Sequence, residues 1–345
     1  MNALAERVLI VGQGLAGTAL GLELEAAGVD FVVASEGHAH AASRVAAGLI
    51  NPITGQRWAK SAQIDALLPR AEKAYRRWEE QLGHALWHPV TLRRLFRDDE
   101  ERTRIVEKIS RGEMAPFVGE VDATGMTVCG AAWVDLPALL AAAEERWRGA
   151  GKLRPTTVVR AEFQAAADGV SWAGEKFAAA VLCTGHGALA REFFPDMPWV
   201  AAKGEILHVE GAGIVAGEVV NRGVWLLGEG AGRGRLGATY ERGQEDNEIT
   251  ANARDVLLAQ GCELGRGELR VVDQVAGVRM TLPDRLPVAG WRSDDIRLGL
   301  CGGLGSKGAL WAPMLAQCWR AVLTDPAEDF PKELAAARFA GKTAG

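Results

Sequence analysis

Residues Val8–Leu20, VLIVGQGLAGTAL, restrict what this chain can fold into more than any other stretch. Val8 to Val11 is a short continuous apolar run, as expected of a strand buried on both faces of a parallel sheet. The run breaks into Gly12-Gln13-Gly14-Leu15-Ala16-Gly17 and resumes as an apolar helical pattern, Thr18–Ala27, that stops at Gly28. A second apolar run, Val29–Ala34, follows. In that strand–turn–helix–strand context a G-x-G-x-x-G spacing reads as a dinucleotide fingerprint; an isolated match is an ordinary βα turn. Gly12 permits the tight turn, Gly14 admits a pyrophosphate to the backbone, and Gly17 lets helix and strand pack closely. The helix start at Leu15 and Ala16 offers unpaired N–H groups to phosphates.

Composition narrows the class. Net charge of −5 and pI near 5.8 argue against nucleic acid or an anionic membrane as a general partner. The five cysteines (129, 183, 262, 301, 318) show no CxxC pair and no metal-ligand spacing. A reduced, cytoplasmic protein is the expectation. Nothing ahead of the fingerprint resembles a signal peptide and no apolar run is long enough to span a bilayer, so a membrane location is not expected.

In dinucleotide-binding folds the second strand commonly ends in a carboxylate for the ribose hydroxyls. The usual position falls on Ser35, with Glu36 one residue later, and either is a candidate. The segment Ala41–Lys60, AASRVAAGLINPITGQRWAK, then gathers small residues at Ala46, Ala47 and Gly48, suited to backbone contact with a bulky planar ligand. Ser43 and Arg44 are candidates to reach phosphates. Here the chain resembles the D-amino-acid oxidase-like FAD-dependent oxidoreductases, a family that includes glycine, sarcosine and D-amino-acid oxidases. Its members follow the ribose strand with a similar Ser-x-x-Ala-Ala-Gly segment lining the flavin. Asn51–Arg57, NPITGQR, has no placed counterpart there and reads as a turn with a solvent-facing arginine.

Ile64–Gly83 reads as an amphipathic helix with Ala66, Leu67, Ala71, Ala74, Tyr75 and Trp78 on its apolar side. His88–Arg97 reads as a strand and Asp98–Arg111 as a charged helix. Arg93, Arg94, Arg97, Arg102 and Arg104 mix with acids there, as on an ordinary solvated face. Ala131–Trp147 reads as a helix capped by Asp135 with Pro137 just inside it. Leu153–Ala161 reads as a strand. After a turn at Asp168-Gly169, Ala178–Gly187 reads as a strand ending in Thr184-Gly185. The resemblance implies flavin contact at that Thr-Gly end, and adenine contact through the backbone of Val158. It also favours FAD over NAD. Lys203–Glu210, Val219–Leu227 and Arg235–Glu241 alternate like antiparallel strands.

Val275–Gly290 is similar to the family's Gly-x-Arg-Pro-x-x-x-Asp-x-x-Pro-x-x-Gly segment, with Met280 where proline is usual. A guanidinium in an apolar stretch is costly unless paired. Arg279 therefore either forms an ion pair with Asp273 or Asp284, or takes a substrate carboxylate, the role the resemblance implies. After a strand over Ile296–Cys301, Gly303, Gly305, Ser306, Lys307 and Gly308 open the helix Ala309–Leu323. The resemblance places this second glycine-rich helix start at the pyrimidine end of the flavin, where helix N–H groups stabilise charge. Lys307 either adds a full charge there or faces solvent. Ser306 stands where some glycine oxidases carry a second arginine.

The expected fold class is α/β, a Rossmann-like FAD-binding domain with an inserted, largely antiparallel-sheet substrate domain. The expected division is 1-85 + 131-199 + 271-345 for FAD binding and 86-130 + 200-270 for substrate. The implied activity is hydride transfer from the carbon of a C–N bond in a small amine or amino acid to non-covalent FAD. Oxygen or another acceptor would take the electrons. His186 and His208 are base candidates by type alone. The segment Gly303–Gly308 also resembles the flavin domain of bifunctional tRNA wobble-uridine modification enzymes, which oxidatively remove a carboxymethyl group from an amine. A flavin-binding protein without turnover is the third reading.

Overall fold

A computed structural model describes residues 7–37, 41–166, 169–292 and 297–339. Asp168 and Ile296, which the sequence placed in a turn and at a strand start, lie outside these residues. Two large sheets organise the rest. The first has six strands in the order Leu153–Pro155, Phe31–Ser35, Val8–Val11, Ala179–Leu182, Leu298–Gly302 and Val288–Trp291. The first four pairings are parallel, and the last, between Leu298–Gly302 and Val288–Trp291, is antiparallel.

This sheet is covered on both faces, which is why its strands are apolar without alternation. Val8, Ile10, Phe31, Val33 and Val181 pack against the helices Leu15–Ala26, Ile64–Leu82, Leu136–Gly149 and Gly308–Thr324. Leu9, Val11, Val32, Leu182 and Leu300 face the small sheet Phe163–Ala166, Gly169–Trp172, Glu175–Phe177 and the helix Ala188–Phe193. The α/β class with a Rossmann-like cofactor half, expected from the glycine turn, is what forms.

The second sheet has nine strands. Glu241–Arg242, Val200–Glu210, Arg233–Gly237, Val224–Gly230, Glu218–Arg222, Thr91–Leu95, Gly125–Val128 and Val118–Val121 follow in that order. The ninth, Arg270–Thr281, pairs antiparallel along the length of Val200–Glu210. Its start lies at the 270/271 division, so this one strand runs through the antiparallel sheet and delivers the chain back to Val288–Trp291. It carries Arg279 with it.

Several local readings are corrected. The strand expected over Leu153–Ala161 stops at Pro155, because its partner ends there: Pro155 pairs with Ser35, the last residue of Phe31–Ser35. The run Val219–Leu227 is folded into a hairpin at Arg222-Gly223, with Gly223 at φ +82°. Residues Ala132–Val134 form a strand before the helix, which starts at Leu136 with Asp135 accepting the Ala138 N–H at 3.0 Å. Ala66 is exposed, whereas Ile64, Leu67, Ala71, Ala74, Tyr75 and Trp78 are buried as the pattern required.

Candidate functional site

The two glycine turns open onto one cavity of about 1390 Å³ between the two sheets. Gly12, Gly14, Leu15 and Ala16 line it from one helix start, and Gly303, Gly305, Ser306, Lys307 and Gly308 from the other. The two starts are neighbours: a side chain on Gly308 would meet Leu15 at 3.2 Å. Gly12 sits at φ +100°, and a Cβ there would lie 2.7 Å from the Cys183 carbonyl oxygen, so only glycine makes this turn. Gly17 is outside the cavity wall and is held against the Gly12 carbonyl, which is the packing role its spacing suggested.

Ser35 and Glu36 both line the cavity, and the structure separates them. The Ser35 hydroxyl is engaged locally, accepting the Gly37 N–H at 3.1 Å. Glu36 reaches outward and accepts the Thr157 hydroxyl at 3.0 Å. Ser43 Oγ accepts the Leu15 N–H at 3.0 Å, which brings the small-residue segment over the first helix start. Ala46, Ala47 and Gly48 continue that wall, while Arg44 is exposed and outside it. Val158, Thr184 and Gly185 also line the cavity, and the buried Thr184 hydroxyl has no hydrogen-bond partner among the described residues.

Arg279 is on the opposite wall. Neither acid proposed as its ion-pair partner holds it: Asp284 pairs with Arg338 at 2.9 Å, and the Asp273 carboxylate accepts the Gln274 N–H at 2.8 Å. Its guanidinium lies against Gly204, donates to the Thr239 carbonyl at 3.4 Å, and stands 5.9 Å from the Tyr240 ring. Burial pulls its pKa below the ordinary arginine value, opposed by Tyr240. Among the described residues no carboxylate pairs with it.

Lys307 is half-buried in the cavity wall, its Nζ lies 3.5 Å from the Thr54 hydroxyl, and burial followed by Arg285 lowers its pKa. Cys183 and Cys301 lie side by side on adjacent strands beneath the cavity, both buried. His186 lines the cavity 3.2 Å from Glu245, whereas His208 does not reach it.

Sequence reasoning missed the NPITGQR hairpin. Ile53–Thr54 pairs with Ala59–Lys60, and Asn51, Thr54, Gly55, Gln56, Trp58 and Ser61 line the cavity. Arg94, assigned to a solvated face, is 8% exposed. It donates to the carbonyls of Ile53 (3.0 Å) and Gly55 (2.5 Å) and stacks 4.0 Å over the Trp58 ring. Burial lowers its pKa to about 10. The available signal was alternation: Arg94 is in phase with the buried Leu92 and Phe96.

The family model described as DAO, FAD dependent oxidoreductase, matches residues 7–319. The chain is 28% identical over 367 residues to the tRNA 5-methylaminomethyl-2-thiouridine biosynthesis bifunctional protein MnmC of Caulobacter vibrioides, covering 95% of this chain and 56% of that protein. The Maricaulis maris protein of the same name is 29% identical, covering 90% of this chain and 50% of its own length. The chain thus spans about half the length of the curated relatives it matches. Among solved structures, glycine oxidase from Geobacillus kaustophilus superposes with a TM-score of 0.79 at 22% identity, covering 99% of this chain and 100% of its own. Iminodiacetate oxidase from a Chelativorans species gives 0.78 at 21%, covering 95% and 98%. At these identities the two structures establish a shared fold.

Proposed function

Because the chain belongs to the DAO family of FAD-dependent oxidoreductases, we propose that it oxidises a C–N bond of a small amine or amino acid that carries a carboxylate. One observation carries this reading: both glycine turns open onto a cavity whose far wall presents Arg279 without a carboxylate partner among the described residues.

The residues present fit FAD. The Gly12 turn admits no side chain, the N-cap of the helix Leu15–Ala26 is Gly14, so the one side chain bonded at its start is Ser43 on the Leu15 N–H, and the buried Thr184 hydroxyl beside the cavity has no partner among the described residues. In this assignment the N–H groups of the first helix start hold the pyrophosphate. Glu36 takes the ribose hydroxyls, because a carboxylate that accepts the Thr157 hydroxyl keeps further acceptor sites, whereas the single Ser35 hydroxyl is already engaged by Gly37. Val158 lines the adenine end, and Ala46, Ala47, Gly48, Thr184 and Gly185 face the ring system, held without a covalent bond. FAD held there would supply hydride acceptance from the carbon beside nitrogen, with the electrons going on to oxygen or another acceptor and the resulting imine left for water to hydrolyse.

The chain's own residues orient and stabilise. Arg279 takes the substrate carboxylate with two parallel donors. The second helix start and Lys307 oppose negative charge developing at the nearby end of the cofactor. The test is anaerobic mixing of the purified holoprotein with a panel of N-alkyl glycines and D-amino acids. A substrate bleaches the visible flavin band; a panel that leaves it unchanged removes this reading.

A second reading has its own support, since relatives alike over nearly the whole chain are named for tRNA modification. It takes the substrate amine as part of a modified wobble uridine in tRNA. Salt-dependent retardation of tRNA supports it, and absence of binding at low salt counts against it.

A further inference from the structure

Between the strand Glu241–Arg242 and the helix Ala251–Cys262 the chain crosses the rim of the cavity, and it is fastened on both banks. On the antiparallel-sheet side each fastening has one buried partner, Lys203 or Glu205, although Asp246 itself is exposed. The Lys203 ammonium, 3% exposed as a residue, donates to Asp246 at 2.5 Å. Glu205, 0% exposed, accepts the Thr250 N–H and hydroxyl, each at 2.9 Å, and the Gln274 amide at 2.7 Å. Thr250 in turn caps the helix, accepting the Ala253 N–H at 3.1 Å.

On the parallel-sheet side there is a different kind of fastening. Glu245 accepts two hydrogen bonds from Arg191, at 2.8 and 2.9 Å, and lies 3.2 Å from His186 Nε2. Arg191 belongs to the helix Ala188–Phe193, and His186 follows the Thr184-Gly185 turn. All three side chains are substantially exposed. The same crossing segment begins at Thr239 and Tyr240, which contact the Arg279 guanidinium, and passes Asn247 through the cavity wall.

We propose that residues 241–250 form a clasp over the substrate side of the cavity, with Lys203–Asp246 and Glu205–Thr250 as its fixed hinge and Glu245 on Arg191 and His186 as its releasable catch. The asymmetry of burial decides which end moves. An exposed ion pair biases an equilibrium by about fivefold at most, whereas stripping a buried charge such as Lys203 or Glu205 of its partners costs on the order of a hundredfold or more. The catch therefore opens in the native protein while the hinge holds. Its release separates the crossing segment from the Thr184–Leu189 wall without unpairing a strand. Thr239 and Tyr240, bonded to the fixed side through Glu205, stay against Arg279 throughout, and closing limits water at the carboxylate site. This role for substrate passage rests on the amine-oxidation reading above; the clasp itself does not.

Amide hydrogen exchange on the holoprotein tests it, comparing the native chain with Glu245→Gln and Lys203→Met. Releasing the catch should speed exchange at 243–248 by about fivefold in Glu245→Gln and leave 251–262 and the flavin absorbance unchanged. Lys203→Met should speed exchange in both segments. Unchanged exchange at 243–248 in Glu245→Gln, or an equal rise through 251–262, overturns the clasp. With a substrate that bleaches the flavin, Glu245→Gln should raise KM several-fold more than it changes kcat. Altered exchange with no substrate in the panel keeps the clasp and discards the amine-oxidation reading.

Discussion

The Arg279 guanidinium occupies the space that a side chain on Gly204 would need. The two residues are on paired strands, Gly204 opposite Gly277 and Arg279 opposite Ala202, so the glycine makes the bed on which the guanidinium lies. The atoms a new Cβ would meet are the far end of a flexible side chain rather than backbone. Gly204→Ala should therefore fold normally and displace Arg279. The expected result is about a tenfold rise in KM for a carboxylate substrate, about 1.4 kcal/mol, with flavin content and thermal midpoint unchanged. A fall in flavin content equal to the loss of substrate affinity would show that Gly204 serves the fold.

Replacing the guanidinium itself separates charge from geometry. Charge-assisted hydrogen bonds contribute about 1.5–3 kcal/mol each, so Arg279→Ala should weaken carboxylate substrates by roughly ten- to a hundredfold. Arg279→Lys keeps the charge without the two-pronged donor and should recover part of this. Steady-state kinetics with flavin content measured alongside checks both. Equal loss of flavin and of substrate affinity would make the residue structural.

The two glycines of the first turn should fail differently. At Gly12 a Cβ meets backbone at 2.7 Å with φ at +100°, so Gly12→Ala should destabilise the fold by about 1–3 kcal/mol as well as lose FAD. At Gly14 the nearest atom to a new Cβ is the Ser43 hydroxyl at 3.7 Å. Gly14→Ala should leave the apoprotein's denaturation midpoint within about 1 kcal/mol of the native chain and still weaken FAD. Parallel denaturation and flavin titration would reveal equal behaviour, if it exists, and so deny Gly14 a cofactor role.

Lys307 should affect the reaction more than binding. Lys307→Met removes a cation held beside the second helix start, and anaerobic flavin bleaching should slow by about tenfold while FAD is retained. Lys307→Arg should bleach faster than the methionine variant. No change in either variant would leave Lys307 as a packing residue.

Glu79 supplies a pH dependence. Its Oε1 accepts the N–H groups of Leu86 and Trp87, each at 2.8 Å, and Arg76 lies 3.1 Å from Oε2. Burial alone would raise its pKa, but these backbone bonds and Arg76 outweigh burial, and the net shift is downward from 4.5. A carboxyl with a depressed folded pKa contributes stability above its unfolded value, and that contribution is lost as pH falls through the lower, folded value. Glu79→Gln should cost about 1 kcal/mol at pH 7, and the gap from the native chain should close as pH drops below 4.5. Urea unfolding at several pH values measures it; a constant gap would assign the cost to something other than charge.

Much of the cofactor half was legible because its signals are local. Val8–Val11 with Gly12–Gly17 names a strand, a turn and a helix whose conformations depend on neighbours in sequence. The Asp135 cap and the apolar stripe of Ile64–Leu82 are of the same kind. Readings that depended on a distant partner were less secure. The strand Leu153–Pro155 is short because Phe31–Ser35 ends, and no residue near Pro155 announces that. Arg94 reads as one charge among many until the hairpin at Asn51–Ser61 supplies carbonyls and an indole to receive it.

The chain's own order of residues determined that two glycine-rich helix starts exist, that they flank a parallel sheet, and that an arginine lies in an apolar strand between them. Backbone conformation and burial periodicity are short-range properties, so they can be read along the chain. Tertiary structure alone decided that both helix starts share one cavity and that Arg279 rests on Gly204 rather than pairing with Asp273 or Asp284. Those outcomes depend on which surfaces meet across long sequence separations, where a difference of one bond or one methyl group selects the partner.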